Sequence, residues 1–80
     1  MKILFYGRLA ESIGRELELQ MAAGCSVAEL RRKLELDFPE AGATLANRRS
    51  RACVGDALVH DDYVLRSGDT VGFLPPVSGG

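Results

Sequence analysis

The sequence predicts a small α+β domain in which a mixed five-stranded sheet packs on one main helix. Two observations carry this prediction. Stretches with β-type patterning lie before and after a single amphipathic helical segment, so the sheet and the helix must share one core. At 80 residues the chain has room for one domain with a small core, and it contains no repeat or low-complexity stretch.

Two strands are predicted near the N-terminus, with a short helical turn between them. Residues 2–6 are rich in apolar, β-branched and aromatic side chains on both faces, which predicts a strand buried on both sides. Residues 8–13 suit a helical turn that Gly14 closes. Residues 15–21 alternate strictly between polar and apolar, which predicts a half-exposed strand paired antiparallel to the first.

The main helix has the clearest local signal. Ser26 is followed three residues later by Glu29, a spacing that fits a capping box. An apolar stripe follows at helical spacing and consists of Val27, Leu30, Leu34 and Phe38. The charged side chains expected mostly off this stripe are Arg31, Arg32, Lys33 and Glu35. Because Pro39 disfavours helical geometry in the residue before it, the helix is expected to end near Asp37.

A loop and a hairpin are predicted after the helix. Residues 40–50 are small and polar, and we expect a loop there with one helical turn at residues 44–46. Residues 51–54 and 57–60 have strand character and flank Gly55-Asp56. A two-residue break that contains glycine suits a tight hairpin turn.

The last strand is predicted at residues 70–74, after a turn cluster at residues 66–69. The resulting order of elements is satisfied by a β-grasp, the ubiquitin-like fold. In that fold the first and last strands lie side by side in the middle of the sheet, which agrees with their apolar character here. The predicted organisation is a β-grasp domain over residues 1–74 and an extended functional tail over residues 75–80.

The tail combines stiffness, small side chains and a reactive group. Its residues are Pro75, Pro76, Val77, Ser78, Gly79 and Gly80. The two prolines cannot extend a sheet ladder and favour an extended conformation that projects from the domain. Since Gly79 and Gly80 lack Cβ atoms, they can pass through a narrow channel. The Gly80 carboxylate becomes an electrophile only when it is joined to AMP, and the chain has no phosphate-binding loop. A partner must therefore activate it.

Composition excludes several classes of function. Ten basic and 11 acidic residues give a net charge of −1, which attracts neither nucleic acid nor anionic lipid. No apolar run approaches the roughly 18 residues of a membrane span. Cys25 and Cys53 are too few for a disulfide framework and, with His60 as the single histidine, do not suggest a metal site. We expect reduced thiols and a cytoplasmic protein.

Other candidate centres are weaker. His60 neighbours Asp61 and Asp62, but adjacent residues on a strand point to opposite faces and do not converge. A local basic cluster consists of Arg48, Arg49 and Arg51. It is expected to be a solvated loop, or alternatively a docking element for a protein partner. Leu36 and Leu74 lie off the predicted core faces and are candidates either for an interface or for satellite core positions. The expected core aromatic residues are Phe5, Phe38 and Phe73.

Two stretches of sequence together resemble a known family. They are the turn Leu65, Arg66, Ser67, Gly68 and Asp69, and the run Phe73, Leu74, Pro75, Pro76, Val77, Ser78, Gly79 and Gly80. With the order of elements, they resemble the small subunits of molybdopterin synthase over the whole chain. A terminal Gly-Gly is shared with ubiquitin and other modifiers, whereas Pro75-Pro76 favours this family. The chain departs from it at Leu74, where many members carry Phe, and at Gly55-Asp56, where an Asn-containing turn is more usual.

The resemblance implies a sulfur carrier that is not an enzyme on its own. A ubiquitin-activating-like adenylyltransferase would use ATP to adenylate Gly80, and a persulfide-derived sulfur would convert it to a thiocarboxylate. The thiocarboxylate would donate sulfur to cyclic pyranopterin monophosphate in the large synthase subunit, within a heterotetramer. The resemblance also implies which residues contact the partners, namely Phe73, Leu74, Pro75, Pro76, Val77, Ser78 and Gly79. The chain itself is expected to bind no cofactor and no metal.

Two alternatives to this function stay open. One is a sulfur carrier for another pathway, such as thiamine synthesis or tRNA thiolation. The other is a ubiquitin-like modifier that is joined to lysine side chains.

Overall fold

The protein forms one mixed five-stranded sheet with its first and last strands side by side near the centre. The computed structural model describes residues 1–21, 24–46 and 50–75. The strands are β1 (Lys2–Phe5), β2 (Glu16–Glu18), β3 (Arg51–Val54), β4 (Ala57–Val59) and β5 (Thr70–Leu74). Their order across the sheet is β2-β1-β5-β3-β4. The predicted α+β class and the central pairing of the first and last strands are confirmed.

The parallel pair β1 and β5 supplies the centre of the buried sheet face. Ile3 lies opposite Val71 and Phe5 lies opposite Phe73, and each of the four side chains is 2% exposed or less. The rings of Phe5 and Phe73 stack with their centroids 6.1 Å apart. Since β5 has a hydrogen-bonded neighbour on each side, its end has a defined position in the sheet.

The main helix, α2 (Val27–Asp37), covers this buried face. The predicted capping box is confirmed: Ser26 Oγ accepts from the backbone N–H of Glu29 at 3.1 Å, and Glu29 Oε1 accepts from the backbone N–H of Ser26 at 3.1 Å. The helix ends before Pro39, as expected. Three residues of the apolar stripe are fully buried, and these are Val27, Leu30 and Leu34. The fourth, Phe38, is half-buried against the same core.

The shorter connections agree with the sequence at three turns. Helix α1 (Arg8–Ile13) ends at Gly14, whose φ of 118° lies in the region that favours glycine. The β3–β4 turn contains Gly55, with a φ of 60°. The turn before β5 is closed by Asp69, whose N–H donates to the carbonyl of Arg66 at 3.1 Å. All three turns were predicted from the sequence.

The segment after α2 is more helical than predicted. A 3₁₀ turn (Pro39–Ala41) leads directly into helix α3 (Gly42–Ala46), where the sequence predicted a loop with a turn only at residues 44–46. The loop prediction is wrong over residues 40–43. Proline is well tolerated in a first helical turn, and burial of Ala41 and Leu45 fixes the segment against α2.

Two strand predictions are wrong in part. Strand β2 covers only Glu16–Glu18 instead of residues 15–21, although the apolar residues of that stretch still pack on the core; they are Leu17, Leu19 and Met21. Strand β1 is buried on one face only. On its other face Leu4 is half-buried and Tyr6 is 44% exposed, because no second layer of the described residues covers that face.

One continuous core lies between the sheet and the helices. Its buried apolar residues are Ile3, Phe5, Leu9, Val27, Leu30, Leu34, Ala41, Leu45, Ala52, Leu65, Val71 and Phe73. Of the predicted core aromatic residues, Phe5 and Phe73 belong to it, and Phe38 packs against it. Among the helices of the described ranges, none is long and apolar enough to cross a membrane.

Candidate functional site

The predicted site begins at the C-terminal end of β5, the central strand of the sheet. Leu74 is the last residue of β5, and Pro75 follows it directly. The remaining predicted tail residues lie outside the described residues; they are Pro76, Val77, Ser78, Gly79 and Gly80. The structure therefore shows the base of the predicted tail and how the protein holds it.

Phe73 is placed in the core. The family resemblance assigned Phe73 a partner contact, and its residue type predicted a core position; its side chain is 0% exposed and stacks on Phe5. Its backbone carbonyl accepts a hydrogen bond from the N–H of Tyr6 at 3.2 Å, which extends the β1–β5 pairing by one residue. Phe73 thus anchors the strand from which the tail leaves.

The ring of Pro75 packs against Gly7. A Cβ atom on Gly7 would lie 2.8 Å from Cγ of Pro75 and 3.2 Å from its Cβ, so the proline ring occupies the space that a side chain would need. The φ of Gly7 is 62°, which also favours glycine at this position. Pro75 has no N–H to donate, so it cannot continue the ladder to β1. Contact with Gly7 therefore holds the first tail residue where the sheet ends.

On the β3 side, Ser50 holds the end of β5. Its hydroxyl donates to the carbonyl of Leu74 at 3.0 Å. Ser50 directly precedes β3 and is 2% exposed, so this bond lies just beyond the last paired residues of the two strands, Arg51 and Leu74. The base of the tail is thus held from both sides, by Gly7 and by Ser50.

Arg31 of α2 donates a hydrogen bond to the backbone carbonyl of Ser50. Its position differs from the one predicted. The residue was expected on the solvated side of the helix, but it is only 8% exposed. Its guanidinium donates to the carbonyl of Leu45 at 2.7 Å, to that of Ser50 at 2.5 Å, and to Asp61 Oδ1 at 2.9 Å. It also lies 5.1 Å from the centroid of the Phe73 ring. Arg31 therefore links α2 to Ser50 and to Phe73.

The helical spacing contained a signal for Arg31. It lies four residues after Val27 and three before Leu34, which places it on the edge of the buried stripe. A count of apolar residues alone misses a buried arginine. Its hydrogen-bond donors are satisfied by carbonyl groups that come from other parts of the chain, which a local pattern does not reveal.

The uncovered face of the sheet presents apolar side chains beside the tail exit. We call these residues the outer patch: Leu4, Tyr6, Cys53, Leu58 and Leu74. Tyr6 is 44% exposed and Leu58 is 63% exposed, while the other three are half-buried. Near its centre, a Cβ on Gly72 would lie 2.8 Å from Cys53 Sγ and 3.2 Å from a ring carbon of Tyr6. Because Gly72 has no side chain, those of Cys53 and Tyr6 can lie against its backbone.

An open groove of about 640 Å³ continues the outer patch towards α1. Its lining includes Tyr6 and Gly7, which touch the tail exit, and the charged residues Glu11 and Arg15. The site therefore offers a projecting tail base, an apolar patch and a partly charged groove on one surface. This combination suits docking of a protein better than enclosure of a small molecule, because the groove is open and partly lined by charged residues.

The whole chain matches known proteins. The sequence model of the ThiS family matches residues 3–80. The molybdopterin synthase sulfur carrier subunit of Escherichia coli (strain K12) is 31% identical over 80 residues, which are 100% of this chain and 99% of that protein.

The chain belongs to the ThiS family.

Solved structures show the same fold for this member of the ThiS family. Molybdopterin converting factor subunit 1 of Pyrococcus furiosus has a TM-score of 0.82 at 23% identity, and 95% of each chain is covered. Small archaeal modifier protein 1 of Haloferax volcanii has a TM-score of 0.81 at 16% identity, again with 95% of each chain covered. At these identities the likeness establishes the fold, and it confirms the predicted ubiquitin-like β-grasp.

The described part of this ThiS-family chain contains no rival reactive cluster. No group of three His, Cys, Asp or Glu side chains within those ranges is placed to hold a metal ion. Asp61 pairs with Arg31 instead of joining His60. Cys25 and Cys53 are free, half-buried thiols. Of the predicted basic cluster, Arg51 is exposed, and Arg48 and Arg49 lie outside the described residues.

The two leucines predicted as interface candidates lie on different surfaces. Leu74 belongs to the outer patch at the tail exit. Leu36 is 80% exposed on α2, and that helix covers the opposite face of the sheet. Only Leu74 is therefore part of the candidate site. Tyr6 and Leu58 were not predicted as site residues, although both alternate with core positions along their strands.

Proposed function

We propose that this ThiS-family protein carries sulfur for molybdopterin synthesis on the carboxyl group of Gly80. The observation that carries the proposal is the 31% identity with the sulfur carrier subunit of Escherichia coli over the whole of this chain. The structure supports it because Ser50 and Gly7 hold Leu74 and Pro75 in place at the end of β5, beside the outer patch.

The chemistry takes place on the tail, and the catalytic groups come from partners. An adenylyltransferase of the ubiquitin-activating type joins the Gly80 carboxylate to the α-phosphate of ATP and releases pyrophosphate. A persulfide sulfur then attacks the acyl carbon and displaces AMP. A thiol cleaves the resulting sulfur–sulfur bond and leaves the thiocarboxylate. In this scheme Gly80 is the carrier, and ATP belongs to the activating partner.

The thiocarboxylate delivers its sulfur inside the large subunit of molybdopterin synthase. There it attacks cyclic pyranopterin monophosphate, and repeated delivery builds the dithiolene that later holds the metal. The absence of side chains at Gly79 and Gly80 suits a narrow channel to that active site. In the proposed heterotetramer one carrier binds at each end of a central dimer of large subunits.

The outer patch is the proposed docking surface for the large subunit. Leu74 belongs to the patch and directly precedes the tail, so a partner that takes the tail into its active site must lie against the patch. Tyr6 and Leu58 provide exposed apolar area of the kind found at the centre of protein interfaces. The charged residues at the margin of the patch, Lys2 with Glu16 at 3.3 Å and Arg51, suit a polar rim.

The test is reconstitution with purified components. The chain is incubated with the cognate adenylyltransferase, ATP and a sulfur donor, and its intact mass is measured. We expect the mass to rise by the difference between one sulfur and one oxygen atom. A variant that lacks Gly80 should keep its free energy of unfolding and gain no sulfur, because the described core is built from residues 3–73. An unmodified terminus in the full-length chain would contradict the proposal.

A second stage separates this function from the alternatives. The thiocarboxylated chain is mixed with the large subunit and cyclic pyranopterin monophosphate, and formation of the dithiolene product is followed. Thiolation without product formation would point instead to another sulfur pathway, such as thiamine synthesis or tRNA thiolation. Isopeptide-linked proteins in cell extracts, with no thiocarboxylate, would point to a ubiquitin-like modifier.

A further inference from the structure

We propose that Ser50 is a positioning residue for the tail, held in place by Arg31, and that it sets the direction in which the chain leaves β5. The inference rests on the proposed carrier function for its consequence, but its geometry is independent of that function. Ser50, on the β3 side, donates to the last residue of the central strand, and Arg31, from the helix, donates to Ser50.

The peptide bond between Leu74 and Pro75 joins β5 to the tail. A peptide unit is planar, so a fixed carbonyl oxygen also fixes the plane that contains the next nitrogen and Cα. The Ser50 hydroxyl holds the Leu74 oxygen at 3.0 Å. The orientation of Ser50 therefore determines the orientation of the peptide unit that begins the tail.

The next constraint comes from Pro75 itself. Its ring restricts φ to about −65°. Gly7 packs against the same ring, as the 2.8 Å approach to Cγ shows. With the peptide plane, the φ angle and the ring all restricted, little freedom is left at the base of the tail. Loss of the Ser50 hydroxyl removes the constraint on the peptide plane while the Gly7 contact stays.

Arg31 makes the hydroxyl a rigid donor. The guanidinium donates to the backbone carbonyl of Ser50 and also lies over the Phe73 ring. It thus fixes the serine backbone relative to the strand that the serine side chain holds. Additional donations to Leu45 and Asp61 fix the guanidinium. In the described residues no buried side-chain nitrogen or oxygen is left without a partner, so the arrangement is fully hydrogen-bonded.

A carrier gains from such a device. The acyl carbon of Gly80 must reach the active site of a partner after the β-grasp domain has docked. A tail that leaves the domain in variable directions lowers the fraction of docked molecules that react. Loss of the constraint on the Leu74–Pro75 peptide should therefore lower kcat for adenylation. KM, which reports docking of the β-grasp domain, should change little. A residue that serves only stability would not separate the two parameters in this way.

The experiment compares Ser50→Ala with Val27→Ala. Both changes lower stability, but Val27 is a buried residue at the start of α2, away from the exit. With the full chain, the adenylyltransferase and ATP, we expect kcat to fall about tenfold for Ser50→Ala with KM unchanged. We expect Val27→Ala to keep the wild-type kcat at a temperature where it is folded. Equal kcat for wild type and Ser50→Ala would overturn the inference.

Amide hydrogen exchange provides a measurement that needs no partner. The N–H of Tyr6 donates to the carbonyl of Phe73 at the end of the sheet, next to the Ser50 contact. We expect Ser50→Ala to speed exchange at Tyr6 by a larger factor than at Leu30, whose exchange within the buried part of α2 follows the global free energy of unfolding. Unchanged exchange at Tyr6 would refute the positioning role even if the chain is a carrier. Faster exchange together with an unreactive wild-type chain would support the positioning role and contradict the proposed function.

Discussion

Gly7 and Pro75 lie in contact where the sheet ends, with no room for a side chain between them. A Cβ on Gly7 would be 2.8 Å from Pro75 Cγ, which is closer than real Cβ contacts come. The backbone of Gly7, with φ 62° and ψ −137°, is also one that residues with a side chain rarely adopt. Glycine is therefore required here for two independent reasons, and both concern the exit of the tail.

The first prediction follows from this contact. Gly7→Ala should lower the free energy of unfolding by about 1–3 kcal/mol, because the new residue is strained and the Pro75 ring must shift. Gly42→Ala is the matched control. Gly42 has φ −55° in helical geometry and nothing within 4 Å of a new Cβ, so it should be neutral or slightly stabilising. Urea denaturation measures both, and equal effects would contradict the contact.

The second prediction concerns the buried arginine. Arg31→Met keeps an apolar stem but removes the donations to Leu45, Ser50 and Asp61. We expect a loss of about 2–4 kcal/mol, since two carbonyl groups lose a charged donor in the interior. Arg32→Met, at the exposed neighbouring position, should stay within about 0.5 kcal/mol of wild type. Denaturation curves that coincide for the two variants would show that Arg31 is not structurally important.

The sequence predicts the elements here where local signals bound them. Strand β5 is predicted to the residue because the Arg66–Asp69 turn precedes it and Pro75 follows it. The capping box is likewise a local pattern. Arg31 and Ser50 could not be found in this way, because their partners come from parts of the chain that only the fold brings together. Alternation also shows which residues share a sheet face, but it does not show whether a second layer covers that face.

The third prediction tests the start of the main helix. Ser26→Ala removes the hydroxyl that caps the N–H of Glu29, and we expect a loss of about 1 kcal/mol. Ser12→Ala, at an exposed position of α1, should change stability by less than about 0.5 kcal/mol. Thermal unfolding followed by circular dichroism compares the two. A Ser26→Ala variant as stable as wild type would mean that the capping box contributes nothing here.

The fourth prediction tests the outer patch. Leu58→Glu places a charge on the proposed contact surface for the large subunit, and Leu36→Glu places the same charge on the opposite side of the domain. Both leucines are largely exposed, at 63% and 80%, so neither change should affect folding by more than about 0.5 kcal/mol. Loss of a buried apolar contact at an interface costs about 1–3 kcal/mol, so Leu58→Glu should raise the Kd for the large subunit about tenfold or more. Leu36→Glu should bind like wild type in isothermal titration calorimetry. Because the two variants differ only in which face is charged, equal weakening by both, or by neither, would exclude the outer patch as the docking surface.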